Sequence, residues 1–435
     1  MSEKELGSPL ERFARRGFMT HLEPARKGFI TNFPNFQHWK KTTPEGVQGI
    51  KPINIYIHIP FCAQQCSYCY YRTITGGRKS EFDTYVDALC QEIETVAKYH
   101  QLENRPVRSI YFGGGTPTLI DGNNLGRIID ALRKNLNIDD PEFTVEAEPV
   151  TLTQKKADAL KAMGVNRISL GVQSLSDEII KLSNRQDTEK KVLKAMDIAS
   201  GTGAVVNIDL MSGLAGETQK TWEHSVQRAI STGVESITVY KTELFANTEY
   251  YKDLRNRKIE LPSDDQELEF MQYAIDQFGQ SDYLPWSFFT FTKGGRYEHI
   301  HAPSIWRGDD YYPFGTSAFG RLGSWLFQNT NDVDKYLKLA SSGKPSTSRG
   351  HHLSSMDHMV RDILLEMKLL RLDLNKFQKN HGFKLTALCR STIDELVEED
   401  FITASEEMIE LTAKGLLHGD YTGKKIGRAL LELNA

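Results

Sequence analysis

The chain has few cysteines and no long apolar run. Only five of its 435 residues are cysteine, and two of these, Cys90 and Cys389, are isolated. So few cysteines exclude a disulfide framework and favour a reducing, cytoplasmic compartment. No window of 18 apolar residues occurs, so no membrane-spanning helix is predicted. The first residues mix arginine with glutamate and lack an apolar segment, so no signal peptide is predicted either.

Neither sign of charge dominates the sequence. Lysine and arginine total 53 and aspartate and glutamate total 57, which gives a net charge of -4. This balance predicts neither nucleic acid nor an anionic membrane as a partner. Hydrophobic residues make up 39% and charged residues 25%, as in an ordinary globular protein. The length is sufficient for one large domain or two.

Three of the five cysteines are clustered. Cys62, Cys66 and Cys69 have C-x3-C-x2-C spacing. Three thiolates on a short loop can bind three irons of a [4Fe–4S] cluster and leave the fourth iron open to a second molecule. A zinc site is one alternative, but it usually needs a second Cys or His pair, and the nearest His is His58. A disulfide is the other, and it would leave one thiol over. We therefore prefer an iron–sulfur cluster.

From residue 53 onward, short β-rich runs alternate with helical patterns. The predicted strands are 53–59, 107–112, 143–147, 167–172, 205–210 and 236–240. The predicted helices are 81–99, 125–136, 152–163 (with Thr151 or Thr153 as N-cap), 189–200 and 220–232. This alternation predicts an α/β fold of parallel strands with crossover helices. Six units favour a partial, open (β/α)6 barrel, with a doubly wound sheet as the second choice.

The regular alternation is confined to the middle of the chain. We interpret residues 1–50 as an N-terminal arm that packs on the body or covers its site, 51–330 as the barrel with an aromatic-rich extension, and 331–435 as a small helical, winged-helix-like domain. Within the extension, 264–279 looks helical, 283–291 looks like one strand, and 294–324 reads as loops rich in Gly, Tyr and Trp.

Several polar residues follow the predicted strands, where ligands bind in both candidate topologies. A Gly113-Gly114-Gly115-Thr116-Pro117 loop follows the second strand and lacks the lysine of a phosphate-binding P-loop. A plain tight turn is its alternative interpretation. The other candidates at strand ends, each weak alone, are Glu146, Glu148, Gln173, Arg185 and Asp209. Two histidine pairs, His299 with His301 and His351 with His352, are interpreted as ordinary capping or surface residues rather than ligands.

Four segments in order carry a resemblance to a known family. They are 56–69 (YIHIPFCAQQCSYC), 111–117 (YFGGGTP), 167–173 (RISLGVQ) and 207–213 (NIDLMSG). Together they resemble the radical S-adenosylmethionine (SAM) enzymes, and within these the oxygen-independent coproporphyrinogen III oxidase-like branch. The resemblance is specific over about 50–250 and looser toward the C-terminus.

The resemblance implies a partial (β/α)6 barrel with a [4Fe–4S] cluster bound by Cys62, Cys66 and Cys69. It also implies reductive cleavage of SAM to a 5′-deoxyadenosyl radical, a small-molecule substrate, and a low-potential electron donor such as flavodoxin or ferredoxin. At matched positions, the resemblance implies that Gly114, Gly115 and Thr116 hold the methionine part of SAM, that Glu146 faces its ribose or amine, and that Tyr68 lies near its adenine. Gln173, Arg185 and Asp209 match positions that contact the first or a second SAM, and Tyr56 is expected beside the cluster.

Two departures from the family pattern bear on the substrate. The porphyrinogen oxidases carry a further cysteine two positions after the third, where this chain has Tyr71. The haem chaperones carry a His-Asn-x-x-Tyr-Trp run, and the nearest segment here extends from His299 to Trp306 with a different spacing. We therefore expect C-methylation or cyclopropanation of an unsaturated or aromatic small molecule, using two SAM molecules. The alternatives are a porphyrin- or haem-processing radical enzyme and a non-catalytic haem chaperone.

Overall fold

The computed structural model describes residues 33–42, 44, 49–297 and 299–433. Most of the predicted N-terminal arm therefore lies outside the described residues. The stretch 33–42 contains one 3₁₀ turn, Phe36–His38. The Phe36 ring stacks on Phe319 with 5.5 Å between centroids, and Lys40 pairs with Gly350. These contacts hold this stretch against the main body.

The predicted alternation of strands and helices is confirmed. The strands are β1 (Ile53–Ile59), β2 (Pro106–Gly114), β3 (Asn137–Ala147), β4 (Arg167–Gln173), β5 (Val205–Ser212) and β6 (Ser236–Lys241). The helices are α1 (Lys79–His100), α2 (Gly122–Asn135), α3 (Gln154–Ala162), α4 (Asp177–Leu182), α5 (Glu189–Ser200), α6 (Gln219–Thr232), α7 (Glu249–Arg255) and α8 (Asp264–Gln280). Thr153, one of the two predicted N-caps, accepts a hydrogen bond from the Lys156 N–H at the start of α3.

Two expectations for the aromatic-rich extension were wrong. Residues 283–291 form two strands, β7 (Tyr283–Ser287) and β8 (Thr290–Lys293), joined by a tight turn. The 294–324 region contains α9 (His301–Trp306), β9 (Tyr311–Phe314) and β10 (Phe319–Leu322) in addition to loops. β9 pairs in parallel with β1, and this long-range pairing gives its aromatic residues a strand conformation that local sequence does not specify.

The strand order identifies the fold as a partial barrel. After β11 (Trp325–Asn329), α10 (Val333–Ser341) and β12 (Thr347–His352), the sheet runs β12-β11-β10-β9-β1-β2-β3-β4-β5-β6-β8-β7. The strands β1 to β6 lie in chain order and pair in parallel. In a doubly wound sheet, the order of the strands along the sheet reverses in the middle. No such reversal occurs between β1 and β6, so the second choice was wrong. The carboxyl ends of these strands all lie at one edge.

The sheet and its helices share one apolar core. Ile53, Ile55, Ile57 and Ile59 of β1 are fully buried in this core, and because alternate residues of a strand point to the same side, they form one apolar face of it. Burying each such side chain contributes about 1.5–3 kcal/mol. Among the described residues, none of the helices is long and apolar enough to cross a membrane.

The C-terminal part is mainly helical and has its own core. Its elements are α11 (Ser355–Glu366), β13 (Arg371–Asp373), α12 (Leu374–His381), α13 (Leu385–Leu388), α14 (Arg390–Glu398), β14 (Ile402–Ala404), β15 (Met408–Leu411), α15 (Ala413–His418) and α16 (Tyr421–Glu432). The short sheet β13-β15-β14 includes an antiparallel hairpin of β14 and β15. Trp306 of α9 joins this second core, so the extension packs against the C-terminal part. The domain boundaries proposed above stay a prediction.

Candidate functional site

A cavity of about 1090 Å³ lies at the carboxyl ends of the barrel strands. Its wall includes Cys62, Cys66 and Cys69, the glycine loop after β2 and residues at the ends of β3 to β6. The volume is slightly above the range typical of small-molecule sites, about 300–1,000 Å³.

Backbone hydrogen bonds join the cysteine loop to the glycine loop. The Gly115 N–H donates to the Ile59 carbonyl at 2.8 Å, and the Thr116 N–H donates to the Phe61 carbonyl at 2.7 Å. The Thr116 hydroxyl lies 3.6 Å from the Cys62 sulfur. A Cβ on Gly115 would lie 2.6 Å from the Phe61 carbonyl oxygen. Only glycine lets the two loops approach this closely.

The three thiols share a partly buried environment. Burial raises the pKa of Cys62 to about 11 and that of Cys69 to about 12, and it also raises the pKa of Cys66. Such thiols are protonated at neutral pH unless cations hold them as thiolates. A bound metal centre would supply those cations, and the thiols and the two joined loops fit that role.

The thiols do not form a single-ion site. In the part of the chain that the structure describes, no three His, Cys, Asp or Glu side chains are grouped so that they could hold one metal ion. A cubane cluster does not require such convergence, because each thiolate binds a different iron.

Glu146 joins the glycine loop to the barrel interior. Its carboxylate accepts hydrogen bonds from the Tyr111 hydroxyl at 2.7 Å and from the Gly114 N–H at 3.1 Å. Burial, together with the negative charge of the neighbouring Asp209, raises the pKa of Glu146 to about 7. Asp209 accepts hydrogen bonds from Ser169 and Asn207, both at 3.0 Å, and burial raises its pKa to about 6. Both carboxylates line the cavity.

Arg185 connects the cysteine loop to the ends of β3 and β4. Its guanidinium donates to Glu148 at 2.8 Å and to the Gly171 carbonyl at 2.7 Å, and it lies 3.6 Å from the Cys66 sulfur. It also pairs with Asp187. The acidic groups and Cys66 around it keep the pKa of Arg185 above its ordinary value despite burial. Arg185 therefore provides a fixed positive charge next to the thiols.

The other predicted residues are divided between the cavity wall and the layer beneath it. Tyr68, Gly114, Gly115, Thr116 and Gln173 line the cavity. Tyr56 does not line the cavity: it stacks on Tyr111 at 6.0 Å, and its hydroxyl lies 3.2 Å from His58 Nδ1. Gln173 ends β4 with φ of 64°, a left-handed conformation that turns the chain out of the sheet.

The histidine pairs are held by other protein groups. His301 is buried, with its Nδ1 2.8 Å from the Ser109 hydroxyl, and His299 pairs with Glu142 at 3.1 Å. His351 pairs with Asp357. Counted from His301, the segment up to Trp306 keeps the first and last residues of the haem-chaperone run at their spacing, with Ala302 and Ile305 in place of Asn and Tyr. Trp306 lines the cavity and His301 does not.

Part of the wall comes from residues that the sequence did not single out. Tyr71 is 50% exposed and Tyr240 is 45% exposed, and both line the cavity, so two aromatic side chains are accessible within it. On the far side the wall is formed by C-terminal residues, including Lys368 and Lys424. Tyr240 ends a predicted strand, which is a usable signal. The lysines lie in helical sequence without a motif, so no signal identified them.

Comparison with known proteins identifies the family. The model of the Radical SAM superfamily matches residues 56–229. The heme chaperone HemW of Bacillus subtilis is 31% identical over 371 residues, which cover 84% of this chain and 96% of the relative. This chain is a radical SAM protein of the HemN-like family.

Further relatives agree with this assignment. The oxygen-independent coproporphyrinogen III oxidase of Salmonella typhimurium is 27% identical over 388 residues, covering 84% of this chain and 83% of the relative. The solved structure of coproporphyrinogen III oxidase (HemN) from Escherichia coli matches with a TM-score of 0.79 and 25% identity, covering 92% of this chain and 96% of that one. The predicted partial barrel is thereby confirmed for this HemN-like protein.

The family implies a [4Fe–4S] cluster and SAM as cofactors, together with a small-molecule substrate and a reductant. The expected proximity to methyltransferases and cyclopropanases has no support from these relatives, which are a haem chaperone and a porphyrinogen oxidase.

Proposed function

We propose that this HemN-like protein binds a tetrapyrrole in the 1090 Å³ cavity and modifies it by radical SAM chemistry. The observation that carries the proposal is that one cavity holds the cysteine trio, the glycine loop and the exposed rings of Tyr71 and Tyr240. Aromatic faces of this kind suit a flat conjugated or partly conjugated macrocycle. The tetrapyrrole class comes from the relatives named above, which act in haem handling and porphyrinogen oxidation.

The residues around the thiols have assigned roles in this proposal. Cys62, Cys66 and Cys69 would hold three irons of the cluster. When bound, the cluster supplies the electron that cleaves SAM to methionine and a 5′-deoxyadenosyl radical, which takes a hydrogen atom from the substrate. Arg185 would orient Cys66 and favour its thiolate form by its fixed charge.

The glycine loop and the strand ends would position SAM. Gly114, Gly115 and Thr116 line the cavity beside the cysteine loop and would hold its methionine part. Glu146, at the end of β3, would accept hydrogen bonds from the amine or the ribose diol. Tyr68 would lie near the adenine.

A second SAM is a separate proposal. Gln173 and Asp209 line the cavity on the side of β4 and β5 and would contact it, whereas Tyr56 would act through Tyr111, on which it stacks. Methylation or cyclopropanation would require this second molecule, and the relatives favour porphyrin or haem processing instead.

A second candidate function is haem carriage without chemistry. It is favoured by the 31% identity to a haem chaperone over 96% of that relative. The burial of His301 and the hydrogen bond of its Nδ1 to Ser109 count against its use as a haem ligand. Haem carriage therefore ranks below radical modification of a tetrapyrrole.

The test uses anaerobically reconstituted protein with dithionite, SAM, and either haem or coproporphyrinogen III. We expect one macrocycle to increase 5′-deoxyadenosine formation several-fold and to change in mass. A mass gain of one methyl group would restore the methylation prediction. Haem binding with no SAM cleavage would identify a carrier. If neither macrocycle binds, the proposal fails. Zinc, or an absence of inorganic sulfide, in the anaerobic protein would remove its chemical basis.

A further inference from the structure

Two buried lysines face the cavity from the C-terminal part of the chain. Lys368 lies in the 3₁₀ turn Met367–Leu369 and Lys424 lies in α16. Each is only 6% exposed, and both line the cavity. Their Nζ atoms lie 3.1 and 3.6 Å from opposite oxygens of Asp420. Buried lysines are rare unless they are paired, and here both contact the same carboxylate at the wall of a cavity.

Two carboxylates, Asp420 and Glu243, act on this lysine pair. Asp420 contacts both ammonium groups, and the nearby lysines lower its pKa. Glu243 is the other acidic group that acts on Lys424. Burial is the main cause that raises the pKa of Glu243 to about 7, and the negative charge of Asp420 is the second. A substantial fraction of Glu243 is therefore protonated at neutral pH. Burial lowers the pKa of Lys424 to about 8.

Aromatic rings surround the Lys368 ammonium. Its Nζ lies 4.8 Å from the centre of the Phe288 ring and 5.9 Å from the centres of the Phe289 and Trp306 rings. These rings keep water away from the ammonium, and an anion reaching it from the cavity would interact more strongly than at an exposed lysine. Lys368, Lys424 and the three rings thus combine a positive charge with an apolar, flat-sided wall.

We propose that Lys368 and Lys424 form a carboxylate-binding subsite that anchors an acidic side chain of the substrate at the end of the cavity provided by the C-terminal part. The inference rests on the proposed function, because haem and coproporphyrinogen both carry carboxylates on a tetrapyrrole macrocycle. It adds that the C-terminal part selects the acidic form of that macrocycle. Asp420 holds the two ammonium groups in position between substrate molecules.

The experiment compares a macrocycle acid with its ester on the same protein. Iron protoporphyrin IX and its dimethyl ester are titrated into the full-length protein, and binding is followed by absorption. Lys368→Met and Lys424→Met remove the charges singly. Lys425→Met is the matched control, because its ammonium pairs with Glu395 and Glu399, away from the cavity wall. The ratio of the two affinities is compared between variants, because it does not depend on the fraction of folded protein in each preparation.

We expect wild-type protein and Lys425→Met to bind the acid about tenfold or more tightly than the ester, as for a charge-assisted hydrogen bond. Lys368→Met and Lys424→Met should each bring the ratio toward one. Equal binding of acid and ester by the wild type would overturn the subsite and leave the proposed function standing. A ratio preserved in both cavity variants would also overturn it. Binding of neither compound would overturn the subsite, and the proposed function would fail with it only if coproporphyrinogen III also does not bind.

Discussion

Gly115 lies where the cysteine loop and the glycine loop are in closest contact. An added Cβ would lie 2.6 Å from the Phe61 carbonyl and 3.0 Å from the Cys62 sulfur. We expect Gly115→Ala to displace the cysteine loop, because Phe61 directly precedes that loop and Cys62 begins it. The contact with Phe61 is to backbone, which cannot move aside as a side chain can. Iron content after reconstitution and SAM binding should both fall at least several-fold.

Gly126 in α2 provides the matched control for that substitution. Its added Cβ would meet the Met163 methyl at 3.7 Å, an ordinary contact. Gly126→Ala should keep full iron content and raise the free energy of unfolding by about 0.5–1 kcal/mol, as expected for a helix interior. Equal iron loading in the two variants would show that the loops tolerate a side chain at Gly115.

Replacing a clustered cysteine should affect cluster assembly, whereas replacing the isolated Cys90 in α1 should not. Replacing Cys62, Cys66 or Cys69 singly with Ala should abolish both iron–sulfur assembly and SAM cleavage, because each thiolate would hold a different iron. Cys90 lies outside the cavity wall with its sulfur 3.6 Å from the Arg127 carbonyl. Cys90→Ala should retain iron and sulfide at wild-type levels. A clustered-cysteine variant that retains a full cluster would refute the ligand assignment.

Glu217 should make the protein less stable as the pH rises. Its carboxyl accepts N–H bonds from Gly213 and Leu214, yet burial, helped by Glu267, raises its pKa to about 8. Between its ordinary value near 4.5 and 8, the folded protein therefore holds a proton that the unfolded chain releases. This contribution to stability is complete below about pH 4.5 and is lost as the pH rises to 8.

Glu217→Gln should remove that loss. Its amide oxygen can accept the same N–H bonds without ionising. Urea unfolding of the metal-free protein should show little difference from wild type near pH 4.5 and a variant more stable by up to roughly 4 kcal/mol at pH 8. Glu223→Gln in α6 serves as the control. A wild type and a Glu217→Gln variant with the same pH dependence would contradict the assignment.

At the residue scale, the sequence reveals groups that form local patterns. The cysteine spacing and the glycine run are visible because their members lie within a few residues of one another. Lys368 and Lys424 are 56 positions apart, as their numbers give. They become neighbours only through the packing of the 3₁₀ turn near Asp420, which no local pattern encodes.

At the element scale, Trp222 holds α6 against α8. Its side chain is fully buried, and its indole N–H donates to the Phe270 carbonyl at 2.6 Å. Trp222→Ala should lower the free energy of unfolding by roughly 3–5 kcal/mol, mostly through lost packing. Trp222→Phe keeps most of the apolar contact and should lose roughly 1 kcal/mol from the missing donor. Equal losses measured by urea unfolding would mean that the hydrogen bond, not packing, dominates.

Strands and helices were predictable from the sequence where the spacing of the apolar residues matches the buried side of the element. The six barrel strands are short β-rich runs that alternate with helices of three-four spacing, and the structure contains all of them. The hairpin of β7 and β8 was missed because its turn, at Phe288 and Phe289, contains two aromatics and no Gly, Pro or Asn. Both rings line the cavity, so these two positions hold residues that suit the cavity wall instead of residues that favour a tight turn.

At the scale of the whole molecule, the cavity joins the start of the barrel to the end of the chain. Bound tetrapyrrole should therefore slow amide hydrogen exchange in two distant segments, the cysteine loop at 62–71 and the segment 413–424, because ligand stabilises whatever it contacts. Helix α2 does not line the cavity and should be unaffected. Protection limited to the cysteine loop would show that the C-terminal part does not contact the ligand.

The joining of distant parts of the chain at the cavity has a consequence for biosynthesis. The ribosome releases the thiols of the cysteine loop hundreds of residues before it makes Asp420 and Lys424. During that interval the loop is present without the C-terminal residues that line the same cavity, so an iron–sulfur carrier can reach it before that part of the wall has formed. Metal loading on the nascent chain should accordingly be faster than loading of the completed, metal-free protein.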